Sequence, residues 1–157
     1  MSYYHKKKFL EEYKDRFQKI LIKEAKLFPI KLASLSKQSE FLPIIIQIVN
    51  ASKELKKMTC NFLELVIVKF SIAKPSTKLQ NWPDLDFKGF LGELKKAKVQ
   101  LSLSEEAEWM AYFNEQKQKA LTLQSEINRI DAEIDRLVYA LYGLTEEEIR
   151  IVEGGEG

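Results

Sequence analysis

Residues 41–65 read Phe41-Leu42-Pro43-Ile44-Ile45-Ile46-Gln47-Ile48-Val49-Asn50-Ala51-Ser52-Lys53-Glu54-Leu55-Lys56-Lys57-Met58-Thr59-Cys60-Asn61-Phe62-Leu63-Glu64-Leu65. Within this stretch Phe41, Ile44, Ile48, Ala51, Leu55, Met58, Phe62 and Leu65 recur at alternating spacings of three and four, which is the seam of a heptad helix. The polar cluster Ser34 to Ser39 supplies the helix start, so one helix is expected from about residue 38 to about residue 70. Its length at 1.5 Å per residue is roughly 50 Å. Pro43 fits only near the first turns of such a helix, where a missing N–H costs least. Ile45, Val49, Val66 and Val68 lie beside the seam and widen it, so the helix is expected to pack on more than one side.

A second seam lies further along. Phe113, Ala120, Ile127, Ile134 and Leu141 form one position series, and Leu123, Ile130 and Leu137 the other, with Gln116 the exception. Ser102 with Glu105 three residues later is a capping box that opens this helix, and Gly143 closes it. The expected span is about 103 to 142, and Thr145 with Glu148 starts a last short helix through Ile151. Between the two long helices, residues 71 to 85 contain Pro75, Ser76, Asn81 and Pro83 and read as a connector. Asp86 then caps a short helix carrying Phe87, Phe90, Leu91 and Leu94, with Lys95, Lys96 and Lys98 at its C-terminal end. Gly89 and Gly92 weaken it.

Two long helices joined by about 30 residues pack antiparallel when they pack within one chain. The expected fold is mainly α: a long, coiled-coil-like antiparallel hairpin with a short helical head and a small basic N-terminal element. Ile20-Leu21-Ile22 is compatible with one short strand in that element. The domain division that follows is 1–32, a basic N-terminal segment, and 33–157, the hairpin and C-terminal tail.

Composition narrows the chemistry. The 157 residues hold one Cys and one His, which excludes a disulfide framework and any Cys-rich zinc site. The net charge of +2 conceals a division: residues 1–101 carry 20 Lys+Arg against 10 Asp+Glu, and residues 102–157 carry 5 against 13. The most basic part is the helical pattern over residues 5–20 and its flank. There Lys6, Lys7, Lys8, Lys14, Arg16, Lys19 and Lys23 interleave with Tyr3, Tyr4 and Tyr13, beside an apolar set of Phe9, Leu10, Tyr13, Phe17 and Ile20. Cations in this arrangement suit phosphate contacts that are salt-sensitive and indifferent to sequence; a solubilising helix face is the competing reading. No segment has the roughly 18 apolar residues of a membrane span, and no secretory signal precedes the first helix, so a cytoplasmic location without a membrane partner is expected.

Catalytic templates fit poorly. Pro83-Asp84 followed by Glu93-Leu94-Lys95 superficially matches a metal-dependent nuclease pattern. Residues two apart on a helix diverge by about 200°, so Glu93 and Lys95 are expected to be solvated helix charges. His5 has no fixed carboxylate neighbour, and Cys60 is expected to be a small buried hydrophobe. The acidic residues Glu105, Glu106, Glu108, Glu115, Glu126, Asp131, Glu133 and Asp135 read as a solvated face of the second helix. No Gly-rich loop that cradles phosphate is present.

Several stretches carry a family resemblance. The run Glu133-Ile134-Asp135-Arg136-Leu137-Val138-Tyr139-Ala140-Leu141-Tyr142-Gly143-Leu144-Thr145-Glu146-Glu147-Glu148-Ile149, ending in Ile151-Val152-Glu153-Gly154, resembles the extreme C-terminus of type II restriction-modification enzymes that contain an adenine-specific DNA methyltransferase. Phe28-Pro29-Ile30 followed by Leu35-Ser36-Lys37-Gln38 is similar to the junction where a target-recognition domain meets a spacer helix. Gln80-Asn81-Trp82-Pro83 and Glu108-Trp109-Met110-Ala111-Tyr112-Phe113 fit the same group, and the likeness covers about residues 16 to 154. It implies a non-catalytic portion of such an enzyme that holds or reads double-stranded DNA beside the methyltransferase or nuclease domain of the parent protein. The methyltransferase's Asn-Pro-Pro-Tyr motif and its S-adenosylmethionine loop have no counterpart in this sequence. The cofactor is therefore implied only for a missing methyltransferase part, and no catalytic residue carries over. The alternative is a helical scaffold that docks a catalytic subunit, or forms a homodimer, without touching DNA.

Overall fold

The computed structural model describes residues 30–154, and the candidate strand at Ile20-Leu21-Ile22 lies outside them. The described chain is mainly helical, and no strand occurs among the described residues. Helix α1 spans Leu35–Phe70, α2 Thr77–Gln80, α3 Phe87–Lys96, α4 Leu103–Tyr142 and α5 Glu146–Val152, with a 3-10 turn at Trp82–Asp84 between α2 and α3. The chain divides into two compact units. One runs from Glu40 to Ile134; the other combines the described residues up to Ser39 with those from Asp135 onward.

The helix starts follow from side chains that satisfy orphan N–H groups. Ser34 Oγ accepts from the Lys37 N–H at 3.3 Å. Ser76 Oγ accepts from Leu79 at 3.1 Å, and Asp86 Oδ1 from Gly89 at 2.7 Å. Ser102 and Glu105 form the expected reciprocal box, as do Thr145 and Glu148. Because α1 starts at Leu35 rather than near residue 38, Pro43 falls inside the helix. Its ring leaves the Ser39 carbonyl without the usual N–H partner.

Three helices end in the same way. Ser71 (φ 51°), Lys98 (φ 64°) and Gly143 (φ 69°) take the left-handed conformation just after α1, α3 and α4. The next residue then donates back five positions: Ile72 to the Ile67 carbonyl, Val99 to Leu94 and Leu144 to Tyr139, at 3.0, 3.0 and 3.1 Å. This is the Schellman arrangement, in which the apolar residue after the turn packs back on the helix it leaves. Glycine suits that conformation at Gly143; Ser71 and Lys98 adopt it with a side chain.

In the larger unit α1 and α4 pack against each other. Phe62 of α1 lies 6.0 Å from Phe113 of α4 between ring centroids, and Phe70 lies 5.1 Å from Trp109. Higher numbers on one helix thus meet lower numbers on the other, which makes the pair antiparallel. The α4 series holds throughout: Phe113, Ala120 and Ile130 are buried, and Ile127, Ile134, Leu141, Leu123, Leu137 and Gln116 are half-buried. On α1 the seam runs through Ala51, Leu55, Met58 and Phe62, but it then passes to Val66, which is 0% exposed, and leaves Leu65 at 44%. Each heptad of a straight helix slips about 20° against a strict seven-residue repeat. Over three heptads from Ile44 the slip carries Leu65 off the seam and brings Val66 onto it. The flanking residues Ile45, Val49 and Val68 stand exposed, so α1 does not bury the broader face expected of it.

The stretch 71–85 is more than a connector. Leu79 and Trp82 within it are fully buried, and they join Phe62, Val66, Ile72, Phe90, Leu94, Phe113 and Ala120 in one core cluster. The Trp82 ring lies 3.9 Å from Phe62 and its indole N–H donates to the Thr59 carbonyl at 3.1 Å. The Lys117 ammonium donates to the carbonyl of Leu85, tying α4 to the segment that enters α3. Gly89 has a place in the start of α3: a Cβ there would sit 2.9 Å from the capping oxygen of Asp86. In the smaller unit the Lys31 N–H donates to the Tyr142 hydroxyl at 3.1 Å, and the apolar side of α5, Ile149 and Ile151, is half-buried.

Candidate functional site

The seven N-terminal cations, Lys6, Lys7, Lys8, Lys14, Arg16, Lys19 and Lys23, lie outside the described residues, as does His5. The candidate nuclease set does lie within them. Glu93 is 6% exposed, the one charged residue in the buried set. Its Oε2 accepts from the Ser76 hydroxyl and its Oε1 from the Lys96 ammonium, both at 2.7 Å. Lys95 and Asp84 stand exposed. Glu93 is therefore no solvated helix charge: it holds Ser76, the residue that caps α2, and so fastens α2 to α3. Among the described residues no group of three His, Cys, Asp or Glu side chains could hold a metal ion.

The Lys96 hydrogen bond, then that of Ser76, holds the Glu93 carboxyl below its ordinary value of 4.5. A carboxyl depressed in the folded state stabilises the fold above its unfolded value, and that contribution is lost as pH falls through the folded one. Glu93→Gln is therefore expected to flatten the loss of stability below about pH 4.5 while lowering stability at neutral pH, as thermal unfolding across pH will report.

Cys60 is exposed rather than buried, because two residues before Phe62 is about 200° around the helix from the seam. The acidic side chains of α4 are exposed apart from Glu106, which is half-buried, so the solvated-face reading holds for most of them. Two cations of α4 are offset on their own helix, Lys119 by Glu115 at 2.6 Å and Arg129 by Glu133 at 3.5 Å.

Two surface features near the tip of the hairpin are shaped well enough to meet a partner. The first is a groove of about 490 Å³ bounded by α1, α4 and the turn after α2. Leu55, Ala120 and Ile127 give it an apolar floor, while Asn81 and Gln124 place amides on its walls. Its titratable groups are Lys56 and Asp84, one of each sign. Such a lining packs an apolar side chain and hydrogen-bonds a neutral polar group beside it.

The second is the set of lysines on the head. Residues 69–98 contain Lys69, Lys74, Lys78, Lys88, Lys95, Lys96 and Lys98 against three acidic residues, Asp84, Asp86 and Glu93. Among the described residues only Lys96 makes an ion pair there. Lys74 and Lys96 border a cleft of about 300 Å³ whose floor includes Ile72, Leu79 and Glu93. In the sequence Lys95, Lys96 and Lys98 have an account as a favourable helix end, whereas Lys74, Lys78 and Lys88 belong to no periodic pattern. The available signal was the local ratio of seven cations to three anions.

No helix of the described residues is long and apolar enough to cross a membrane. No curated protein and no solved structure shows a significant match to the chain. A family described as "Domain of unknown function (DUF8810)" matches residues 34–138, which begin at the residue that caps α1 and take in most of α4. The match covers about two thirds of the sequence, and the chain belongs to the DUF8810 family.

Proposed function

We propose that the chain is a non-catalytic DNA-recognition and spacer module of a restriction-modification methyltransferase system, positioning an enzyme on duplex DNA. The observation that carries this reading is the run of Lys6, Lys7, Lys8, Lys14, Arg16, Lys19 and Lys23, interleaved with tyrosines and placed directly before a long helical hairpin. The resemblance of residues 16 to 154 to the C-terminal region of such enzymes supports it. So does the hairpin itself: α1 with 36 residues and α4 with 40 extend roughly 54 and 60 Å, lengths suited to a spacer. The full chain is expected to bind duplex DNA weakly at low salt, with affinity falling steeply as salt rises. Reversal of Lys6, Lys7, Lys8 and Lys14 to Glu should reduce binding by about 100-fold, since several phosphate contacts become repulsive. A wild-type chain that fails to bind DNA at low salt overturns the reading.

One observation favours the scaffold reading. Leu42, Ile45, Ile46 and Val49 are exposed at i, i+3, i+4 and i+7 on one side of α1, a spacing that presents a continuous apolar stripe. Under that reading a second copy or a catalytic subunit covers the stripe. Sedimentation should then show concentration-dependent association that Ile45→Ser with Val49→Ser weakens. Val66 is unsuited to this test because it is wholly buried, and a monomer at every concentration rules out the dimer.

A further inference from the structure

We propose that the head of the hairpin is a second DNA-binding surface, on which Lys74, Lys78, Lys95 and Lys98 contact the phosphate backbone of the duplex. The inference shares its partner with the reading above but rests on different residues, all within the described structure. Lys74 lies in the loop after α1, Lys78 on α2, Lys95 on the last turn of α3 and Lys98 at the left-handed residue that follows it. The four are exposed and none makes an ion pair with another described residue, although the charge of Lys78 is near enough to Glu93 to help hold its carboxyl low.

The surrounding carboxylates other than Asp84 are held in hydrogen bonds within the structure. Glu93 is buried and engaged by Ser76 and Lys96. Asp86 caps α3 through the Gly89 N–H, and Asp84 borders the groove on the side of α1 and α4. Glu105 caps α4 through Ser102. The contrast with α4 is informative, because Lys119 and Arg129 each have a carboxylate one turn away on the same helix. Unpaired cations gathered on a short compact segment repel one another, and a polyanion relieves that repulsion while releasing its own counterions.

The same surface distinguishes nucleic acid from lipid. Binding at a membrane surface combines cations with apolar side chains that enter the acyl boundary. The exposed large hydrophobics include Val68 and Leu103, but none between them, so the head offers charge without a wedge. Of the aromatic rings on the head, Trp82 and Phe90 are fully buried and Phe87 is half-buried against the core cluster, so none of the three stands free as a platform for stacking on unpaired bases. Exposed lysines without either feature match the backbone of a duplex, and they would read its charge rather than its sequence.

The test uses the full chain and a short DNA duplex, with affinity measured by fluorescence anisotropy over a range of salt concentrations. A variant carrying Lys74→Glu, Lys78→Glu, Lys95→Glu and Lys98→Glu should bind about 100-fold more weakly at low salt. The slope of log affinity against log salt should become shallower by about 3 to 4, one counterion per lost contact. Lys96 is left in place because it holds Glu93. A second variant with glutamine at the same four positions should lose the same slope; it stands in for the first if circular dichroism shows the reversed chain unfolded. A folded variant of either kind that binds as the wild type does overturns the inference. So does tighter capture of the wild type by phosphatidylserine vesicles than by the duplex. The four-residue reversal at Lys6, Lys7, Lys8 and Lys14 separates the two proposals. Loss in that variant alone leaves the N-terminal reading standing and removes the head; loss in the head variant alone does the opposite; loss in both supports two surfaces.

Discussion

Trp82→Ala is expected to lower the stability of the hairpin by about 3–5 kcal/mol, the cost of removing a large, fully buried aromatic side chain. The ring is 0% exposed and packs on Phe62 at 3.9 Å and Phe113 at 5.7 Å, so its loss leaves a cavity walled by α1 and α4 that neither helix can easily fill. The indole N–H bond to the Thr59 carbonyl goes with it, and this bond closes the segment carrying Trp82 onto α1. For a chain of this size the change should appear as a fall in Tm of about 10 °C. Trp82→Phe separates the two contributions: it keeps most of the apolar volume, removes the donor and is expected to cost less than half as much. A Trp82→Ala protein whose unfolding is unchanged would mean that Trp82 is not the anchor of the head.

Phe62→Ala should be as damaging for a different reason. Phe62 has ring contacts with five aromatic residues, Trp82, Phe90, Trp109, Tyr112 and Phe113, at centroid distances from 3.9 to 6.4 Å. These partners come from the turn after α2, from α3 and from α4, so at this side chain α1 meets three other parts of the tip at once. Its removal is expected to cost about 3–5 kcal/mol, with edge and offset-stacked pairs adding to the loss of buried area. Leu65→Ala, three residues along α1, should cost less than about 1 kcal/mol because Leu65 keeps 44% of its surface in solvent. Urea unfolding of the two variants checks the pair. Equal losses would contradict the passage of the seam from Phe62 to Val66. The double variant Phe62→Ala with Trp82→Ala should be far from additive, since the two rings share one cavity.

How far the sequence foretold this arrangement differs between the two long helices. α4 was legible from its first cap to its last residue because Ser102, Glu105 and Gly143 mark its ends and its apolar positions keep one period. α1 was legible as a helix but not in its phase, since a heptad template does not carry the slip that exchanges Leu65 for Val66. The head was the least legible part. Pro75, Asn81 and Pro83 are turn residues, and they surround Leu79 and Trp82, whose burial depends on contacts distant along the chain. Trp82 and Leu79 were nevertheless an anomaly within a polar connector, and large apolar residues in such a place are better explained by a core than by a loop. Glu93 shows the reverse case: helix geometry correctly separated it from Lys95, yet could not reveal that Ser76 and Lys96 would draw it inward. For the candidate site, charge counting singled out the first 32 residues and overlooked the head, because there the lysines are spread over three short segments rather than collected in one run.

The placement of the aromatic cluster at the closed end of the hairpin sets an order in which contacts become affordable during folding. Trp82 reaches Thr59 across 23 residues and Lys117 reaches Leu85 across 32, whereas the bond from Lys31 to Tyr142 spans 111. Closing a loop costs more entropy as it lengthens, unless inner contacts have already shortened it. Once Phe62, Trp82, Phe90 and Phe113 have met, the stretches of α1 and α4 in the larger unit need only zip away from the tip, and each turn of pairing shortens the loop left for the next. The larger unit thereby gains the low effective contact order of a local structure although Glu40 and Ile134 at its ends are far apart in sequence. Substitutions at the tip are then expected to slow folding, while those near Lys31 and Tyr142 should mainly hasten unfolding.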